Sequence, residues 1–135
     1  MSDYQKPLPK PTPLTQPFWD GIRQHQVLVQ RCDGCGALRH VPKPWCPECL
    51  TAACTWTSLS GEGRIYTYTV MHRAPDRAFT DDLPYVVALV EMTEGVRLIS
   101  NVVGCPPEQV RVGMPVKVVY EDINDAIALF KFAPA

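Results

Sequence analysis

Two C-x-x-C pairs within residues 31–50 constrain the fold of this chain more than any other feature of its sequence. Cys32 and Cys35 form the first pair, Cys46 and Cys49 form the second, and the segment GALRHVPKPW separates them. A C-x-x-C turn points two thiolates at one ion, and two such turns complete a tetrahedral shell of four sulfur ligands. The spacing therefore predicts one zinc ion per chain.

Two alternatives to zinc remain open at this point: iron in the same four-sulfur shell, or redox-active dithiols without a metal. Four protein ligands leave no position for water or substrate, so a zinc site of this kind stabilises the fold and has no catalytic role. Two cysteines are left over, Cys54 and Cys105. Neither has a partner at ligand spacing, and we expect both to be small buried apolar residues.

The composition favours a folded, soluble protein. Apolar residues make up 46% of the 135 residues and charged residues 20%, which is enough apolar material for a core. The formal net charge of −1 disfavours nucleic-acid binding, because proteins that bind the phosphate backbone are usually basic. The N-terminus lacks the apolar run of a signal peptide, and no segment has the length of a membrane span. We therefore expect a cytoplasmic protein without membrane attachment and without disulfides.

Residues 1–14 predict an extended arm, because prolines occupy every second position from 7 to 13. Thr15 is the expected N-cap of a short helix that ends near residue 25. A helix of this length after a flexible arm has little core of its own to join, although its apolar residues would also suit a core. We predict that its large apolar side chains bind a partner: Phe18, Trp19 and Ile22.

The remaining pattern is mainly β, in two units. Residues 15–59 hold the helix and a rubredoxin-like zinc ribbon, and residues 60–135 hold a small barrel. Five barrel strands are predicted, at 63–72, 85–92, 96–103, 115–121 and 126–132. Five strands with one excursion between the third and fourth predict an OB-fold, with a five-stranded SH3-like barrel as the alternative. Alternation along the first strand puts Tyr66 and Tyr68 on one face.

Nothing in the sequence predicts a catalytic set. No nucleophile elbow, phosphate-binding loop, H-E-x-x-H helix or dinucleotide fingerprint is present. Among the three histidines only His72, at the end of the first barrel strand, is a candidate for chemistry. We therefore predict that this chain is not an enzyme on its own.

Several motifs follow one another in an order that resembles a known family. They are FWDGI, VQRCDGCG, PWCPECL, GEGRIYTYTVMHRAP, DDLPYVVALVEMTEGVRLISNVVGC and VGMPVKVVYED. The order resembles the acyl-CoA-associated family with a rubredoxin-like zinc ribbon and an OB-fold, long catalogued as a domain of unknown function. The likeness covers nearly the whole chain after the arm. Leu50 departs from the glycine often found after the second knuckle, so a less regular knuckle is expected there.

The resemblance implies an accessory subunit that binds acyl-CoA. Its members are similar to proteins that assemble with thiolases, acyltransferases or the lipid-transfer-protein-like aldolases of steroid side-chain breakdown, and some are bound or fused to hydratases. The partner would then hold the reactive cysteine. The alternative function is a nucleic-acid-binding module, because zinc ribbons and OB-folds both serve that role and Tyr66 with Tyr68 would stack bases.

The loop at residues 73–84 joins the first two barrel strands and is long for such a connection. Arg73 and Arg77 suit the phosphates of coenzyme A, and Phe79 suits its adenine or the acyl chain. In the competing interpretation, three aspartates of the loop pair with these arginines on a solvated surface. Both interpretations stay open on the sequence alone.

Overall fold

The zinc ribbon forms the N-terminal half of the molecule. The structure, a computed structural model, describes residues 4–135; the first three residues of the predicted arm lie outside this range. Helix α1 (Gln16–Arg23) precedes β1 (Leu28–Cys32), β2 (Leu38–Arg39) and β3 (Cys54–Ser58). The three strands form an antiparallel sheet in the order β2-β1-β3. In this sheet Cys32, the last residue of β1, pairs with Cys54, the first residue of β3.

The C-terminal half is a closed barrel of five strands. These are β4 (Glu62–Met71), β5 (Tyr85–Met92), β6 (Arg97–Val102), β7 (Pro115–Asp122) and β8 (Ala128–Pro134). They are ordered β4-β5-β6-β8-β7, and β7 closes the barrel against β4. Since β6 and β8 pair in parallel while the other neighbours are antiparallel, the chain follows a Greek-key path. The OB-fold prediction is confirmed, and the SH3-like alternative is set aside.

A β-bulge in β4 corrects the predicted placement of its two tyrosines. The pairing with β5 shifts register between Ile65 and Thr67, so that the alternation of side chains changes phase at this point. Tyr68 packs against the core, whereas Tyr66 points outward and carries the Arg97 guanidinium 3.8 Å from its ring centre. The two rings therefore share no face, so the base-stacking pair that the nucleic-acid alternative included is not formed, whereas the zinc ribbon and OB-fold on which it also rested are present.

Helix α1 lies between the ribbon and the barrel. Phe18 is 3% exposed and Ile22 is fully buried, and the Phe18 ring meets Phe130 of β8 edge-to-face at 5.7 Å. The prediction that these two residues form an exposed partner-binding face is wrong, because the barrel itself supplies the core that the helix joins. Of the three predicted residues only Trp19 keeps part of its surface exposed.

Residues 4–12 of the arm form no helix or strand, and several of them lie against the barrel, while the extended conformation stays a prediction. Thr15 occupies the N-cap position, but its hydroxyl does not cap the helix. It accepts the Thr12 amide instead, at 2.9 Å, and so stabilises the turn before the helix. No helix in residues 4–135 is long and apolar enough to cross a membrane.

Candidate functional site

The four predicted ligands converge at the tip of the ribbon. The sulfur atoms of Cys32, Cys35, Cys46 and Cys49 all lie within 4.8 Å of one another, with Cys32 to Cys49 at 3.5 Å and Cys35 to Cys46 at 3.7 Å. A tetrahedral zinc ion with sulfur at about 2.3 Å holds its ligands about 3.8 Å apart, whereas a disulfide bond is about 2.05 Å. The spacing therefore fits an S4 zinc centre, and these four residues would hold the ion.

The two knuckles have the same backbone hydrogen bonds. In the first, the Cys32 carbonyl accepts the Gly36 amide at 2.9 Å; in the second, the Cys46 carbonyl accepts the Leu50 amide at 2.8 Å. Gly36 has φ +78° and Leu50 has φ +67°. The expectation of a less regular second knuckle is wrong: Leu50 adopts the left-handed conformation that favours glycine, and the knuckle keeps its geometry.

Amides and a hydroxyl surround the sulfurs with donors. The amides of Cys35 and Gly34 donate to the Cys32 sulfur at 3.4 and 3.3 Å, and together they lower the pKa of that thiol. Thr51 lowers the pKa of Cys49 to about 6, because its hydroxyl and amide both favour the thiolate. The Ala37 amide favours the Cys35 thiolate, but the neighbouring thiols outweigh it and raise its pKa to about 12. Four thiolates thus need a cation among them to be ionised together.

The remaining cysteines stay outside this group. Cys54 is directly opposite Cys32 in the β1–β3 register, yet its sulfur does not belong to the cluster. Cys105 packs against the barrel core. Both are half-buried rather than fully buried as predicted.

A buried polar network, which the sequence did not predict, supports the segment between the knuckles. Gln30 is 2% exposed and Arg39 is 6% exposed, and the Arg39 Nε donates to the Gln30 Oε1 at 2.8 Å. The same oxygen accepts the Lys43 amide at 2.8 Å, while both side chains donate to the Lys43 carbonyl. These bonds fix the loop that leads from β2 to the second knuckle. The only feature of the sequence that could have indicated this network is a polar residue on each of two paired strands, Gln30 on β1 and Arg39 on β2.

A cavity of about 600 Å³ lies against the barrel on the side of β5, β6 and β8. Arm residues 4 and 6–9 form one wall, and Phe79 with Asp82 from the β4–β5 loop forms another. Helix α1 contributes Trp19 to the lining, and β8 contributes Leu129 and Phe130. Of the three residues predicted to bind acyl-CoA, the structure brings Phe79 to this cavity.

Arg73 and Arg77 lie in the same loop but do not line the cavity. Both are exposed, and within residues 4–135 neither makes an ion pair. The structure contradicts the competing interpretation, in which aspartates of the loop pair with Arg73 and Arg77. Asp76 accepts the Ala78 amide at 2.8 Å, and Asp82 pairs with Lys6 of the arm.

Two family models match the chain, one on each half. Residues 19–53 match the rubredoxin-like zinc ribbon domain of ChsH2, and residues 56–121 match its C-terminal OB-fold domain. A DUF35 domain-containing scaffold protein of Methanocaldococcus jannaschii is 36% identical over 124 residues, covering 86% of this chain and 87% of the relative. This chain belongs to the DUF35 family.

The relatives of this chain differ in length. A "Probable enoyl-CoA hydratase alpha subunit" of Thermomonospora curvata is 41% identical over 119 residues, but the match spans 87% of this chain and only 37% of that protein. Among solved structures, a chain of an "Ltp2-ChsH2(DUF35) aldolase" superposes with a TM-score of 0.84 at 37% identity. That match covers 93% of this chain and 98% of the solved chain.

Proposed function

We propose that this DUF35 chain is a non-catalytic subunit that assembles with a thiolase-like enzyme acting on acyl-CoA thioesters. The observation that carries the proposal is its likeness to the DUF35 chain of the Ltp2–ChsH2 aldolase, over 98% of that chain. The zinc centre is consistent with a supporting role, because four protein sulfurs fill the coordination shell. The zinc would tie the two knuckles together, and the partner would supply the reacting groups. A hydratase is a further candidate partner.

The assembly is tested by co-expressing the chain with a thiolase-like protein encoded in the same genome. We expect the two to elute together from a size-exclusion column. Trp19→Ala should weaken the complex, because Trp19 is the large apolar residue of α1 that keeps exposed surface. Separate elution at micromolar concentrations of both proteins would refute the proposed partnership.

We further propose that the subunit contributes to acyl-CoA binding. The cavity has a volume within the range usual for small-molecule sites, and Phe79 offers an aromatic face on its wall. Arg73 and Arg77 are exposed guanidiniums without ion-pair partners in residues 4–135, and such groups bind phosphates through charge-assisted hydrogen bonds. The nucleotide would then lie over the β4–β5 loop and the acyl group would enter the cavity.

Removing the two arginines tests this arrangement on the purified complex. Arg73→Ala with Arg77→Ala should raise the Kd for acyl-CoA by about five- to tenfold, as expected for the loss of charge-assisted phosphate bonds. An acyl thioester of N-acetylcysteamine, which lacks the nucleotide, should bind with unchanged affinity. Arg31→Ala with Arg111→Ala is the matched control, because both residues are exposed and lie outside the loop. An equal increase of the Kd for acyl-CoA in the two double variants would mean that the phosphates do not bind at the β4–β5 loop.

A further inference from the structure

The arm forms a wall of the cavity, and its prolines limit the backbone hydrogen bonds that it can donate to the barrel. Three of its residues at the cavity are the consecutive Pro7, Leu8 and Pro9. Proline has no amide to donate, so this stretch cannot pair with the barrel as a strand. Its restricted backbone also loses little conformational entropy when it is ordered. Pro7 and Pro9 therefore contribute side-chain contacts to the wall and no donated backbone bond, and such contacts can be broken and re-formed at small cost.

Lys6 anchors this wall to the loop on the other side of the cavity. Its Nζ lies 2.6 Å from the Asp82 carboxylate and 5.9 Å from the centre of the Phe79 ring. The Lys6 side chain is 21% exposed and that of Asp82 is 42% exposed. An ion pair with this exposure contributes little to stability, because water and salt screen it. Lys6 thus joins the arm to Phe79 and Asp82 across the cavity by contacts that are weak enough for a ligand to displace.

The cavity offers apolar side chains together with polar groups that are partly engaged in hydrogen bonds and ion pairs. Its two polar side chains on β6 are already used: Ser100 donates to the Phe130 carbonyl at 2.7 Å, and Asn101 donates to the Val86 carbonyl at 2.9 Å. Its two lysines also have carboxylate partners, since Lys131 pairs with Glu121 at 3.4 Å and Lys6 with Asp82. Polar and apolar groups contribute to the lining in comparable amounts. The apolar surface available to an acyl chain comes from residues of α1, β5, β6 and β8: Trp19, Val86, Val102, Leu129 and Phe130.

We propose that arm residues 4–9 form a displaceable wall that sets the size of the acyl group this cavity accepts, with the Lys6–Asp82 ion pair as its anchor. The inference rests on the proposed acyl-CoA function and adds the residues that select among acyl groups. A short acyl chain leaves the wall closed and gains its contacts. A long or bulky chain displaces the wall and gives up the ion pair.

Chain-length preference tests the wall. The full chain in its complex is titrated calorimetrically with octanoyl-CoA and hexadecanoyl-CoA. Lys6→Gln and Asp82→Asn should each shift the ratio of the two Kd values by about threefold or more toward the longer chain, the effect expected from losing an exposed ion pair. Lys10→Gln and Asp81→Asn are matched controls on the same two segments, and neither residue makes an ion pair in residues 4–135. In both control variants the ratio of the two Kd values should equal that of the wild type.

Cys105 provides a second readout, because it lines the cavity and is half-buried. In a zinc-loaded Cys54→Ser background, the rate of modification by a thiol reagent should rise in Lys6→Gln and fall when hexadecanoyl-CoA is bound. Binding of neither acyl-CoA to the wild-type complex would overturn the acyl-CoA function and this inference with it. Binding with an unchanged ratio in Lys6→Gln and Asp82→Asn, or an unchanged labelling rate of Cys105 in Lys6→Gln, would overturn the inference alone.

Discussion

At the residue scale, the two knuckles hold different side chains in one backbone conformation. Gly36 and Leu50 occupy equivalent positions, and both have a positive φ. A left-handed conformation costs a residue with a Cβ roughly 1–2 kcal/mol. Leu50 is 73% exposed, so its side chain recovers little of this cost by burial. The second knuckle therefore carries local strain that the four sulfur ligands must hold in place.

Leu50→Gly should relieve that strain. We expect the free energy of unfolding of the zinc-loaded protein to rise by about 0.5–1 kcal/mol, since glycine's greater freedom in the unfolded chain offsets part of the gain. The converse change, Gly36→Leu, should lower it by roughly 1–2 kcal/mol through the backbone, because a Cβ at Gly36 meets nothing within 4 Å. Urea denaturation measures both. A loss of stability in Leu50→Gly would mean that the exposed leucine makes a contact worth more than the strain.

His40 is a second residue whose burial in the fold lowers stability. Its ring lies 4.9 Å from that of Phe18, and its Nδ1 is buried without a hydrogen-bond partner among the described residues. Burial lowers the pKa of His40 to about 4 from the ordinary value of 6.5. Between pH 6.5 and 4 the unfolded chain therefore binds a proton at His40 that the folded chain does not bind. The free energy of unfolding is highest above pH 6.5 and falls as the pH is lowered toward 4.

His40→Leu should remove this acid sensitivity. Relative to the wild type, the variant should gain about 2 kcal/mol of unfolding free energy as the pH is lowered from 7.5 to 5. The zinc ligands titrate in both proteins, so their contribution cancels in the comparison. His72→Leu is the control, because His72 is exposed and its variant should follow the wild type. Parallel pH profiles for His40→Leu and the wild type would contradict the assignment.

At the element scale, the zinc ribbon depends on its metal for stability. Structural zinc supplies on the order of 10 kcal/mol of folding free energy in small domains. Cys46→Ser should therefore abolish zinc binding and unfold the ribbon. Cys54→Ser and Cys105→Ser should each keep one zinc per chain, because neither sulfur joins the ligand cluster. Elemental analysis with far-UV circular dichroism checks all three, and a zinc content below one per chain in Cys54→Ser would be the contrary result.

The sequence predicted elements with strong local signals and missed features set by packing. Strand β5 was predicted at 85–92 and is found at Tyr85–Met92, since its apolar run sits between clear turns. The phase change in β4 has no local signal, because a bulge at Tyr66 depends on how β5 pairs with it. The burial of Phe18 likewise depends on Phe130, far along the chain. The cysteine spacing predicted the four-cysteine metal centre. The cavity could not be predicted from the sequence, because the arm that forms one of its walls has no local signal for where it lies.

At the scale of the whole molecule, ribbon and barrel share one core. Buried residues of α1 and β1 belong to the same apolar cluster as residues of the barrel, among them Ile22, Val29, Val90 and Phe132. A surface contact joins the same two halves: the His25 Nε2 lies 2.9 Å from the Asp122 carboxylate, and its ring stacks on Tyr120 at 4.6 Å. The core contact is the larger of the two by far, because buried apolar area dominates stability.

A shared core predicts that both halves unfold together. All three tryptophans, Trp19, Trp45 and Trp56, belong to the helix and ribbon, so their fluorescence reports that half, while far-UV circular dichroism is dominated by the barrel strands. On heating, the two signals should give one coincident transition, the test of two-state behaviour. Chelating the zinc should lower the barrel's midpoint as well as the ribbon's, because Phe18 and Ile22 then leave the barrel surface they cover. His25→Ala should leave the transitions coincident, since its contact is exposed. A barrel midpoint unaffected by chelation would mean that α1 stays docked without its ribbon, and that the OB-fold is the independent unit of stability.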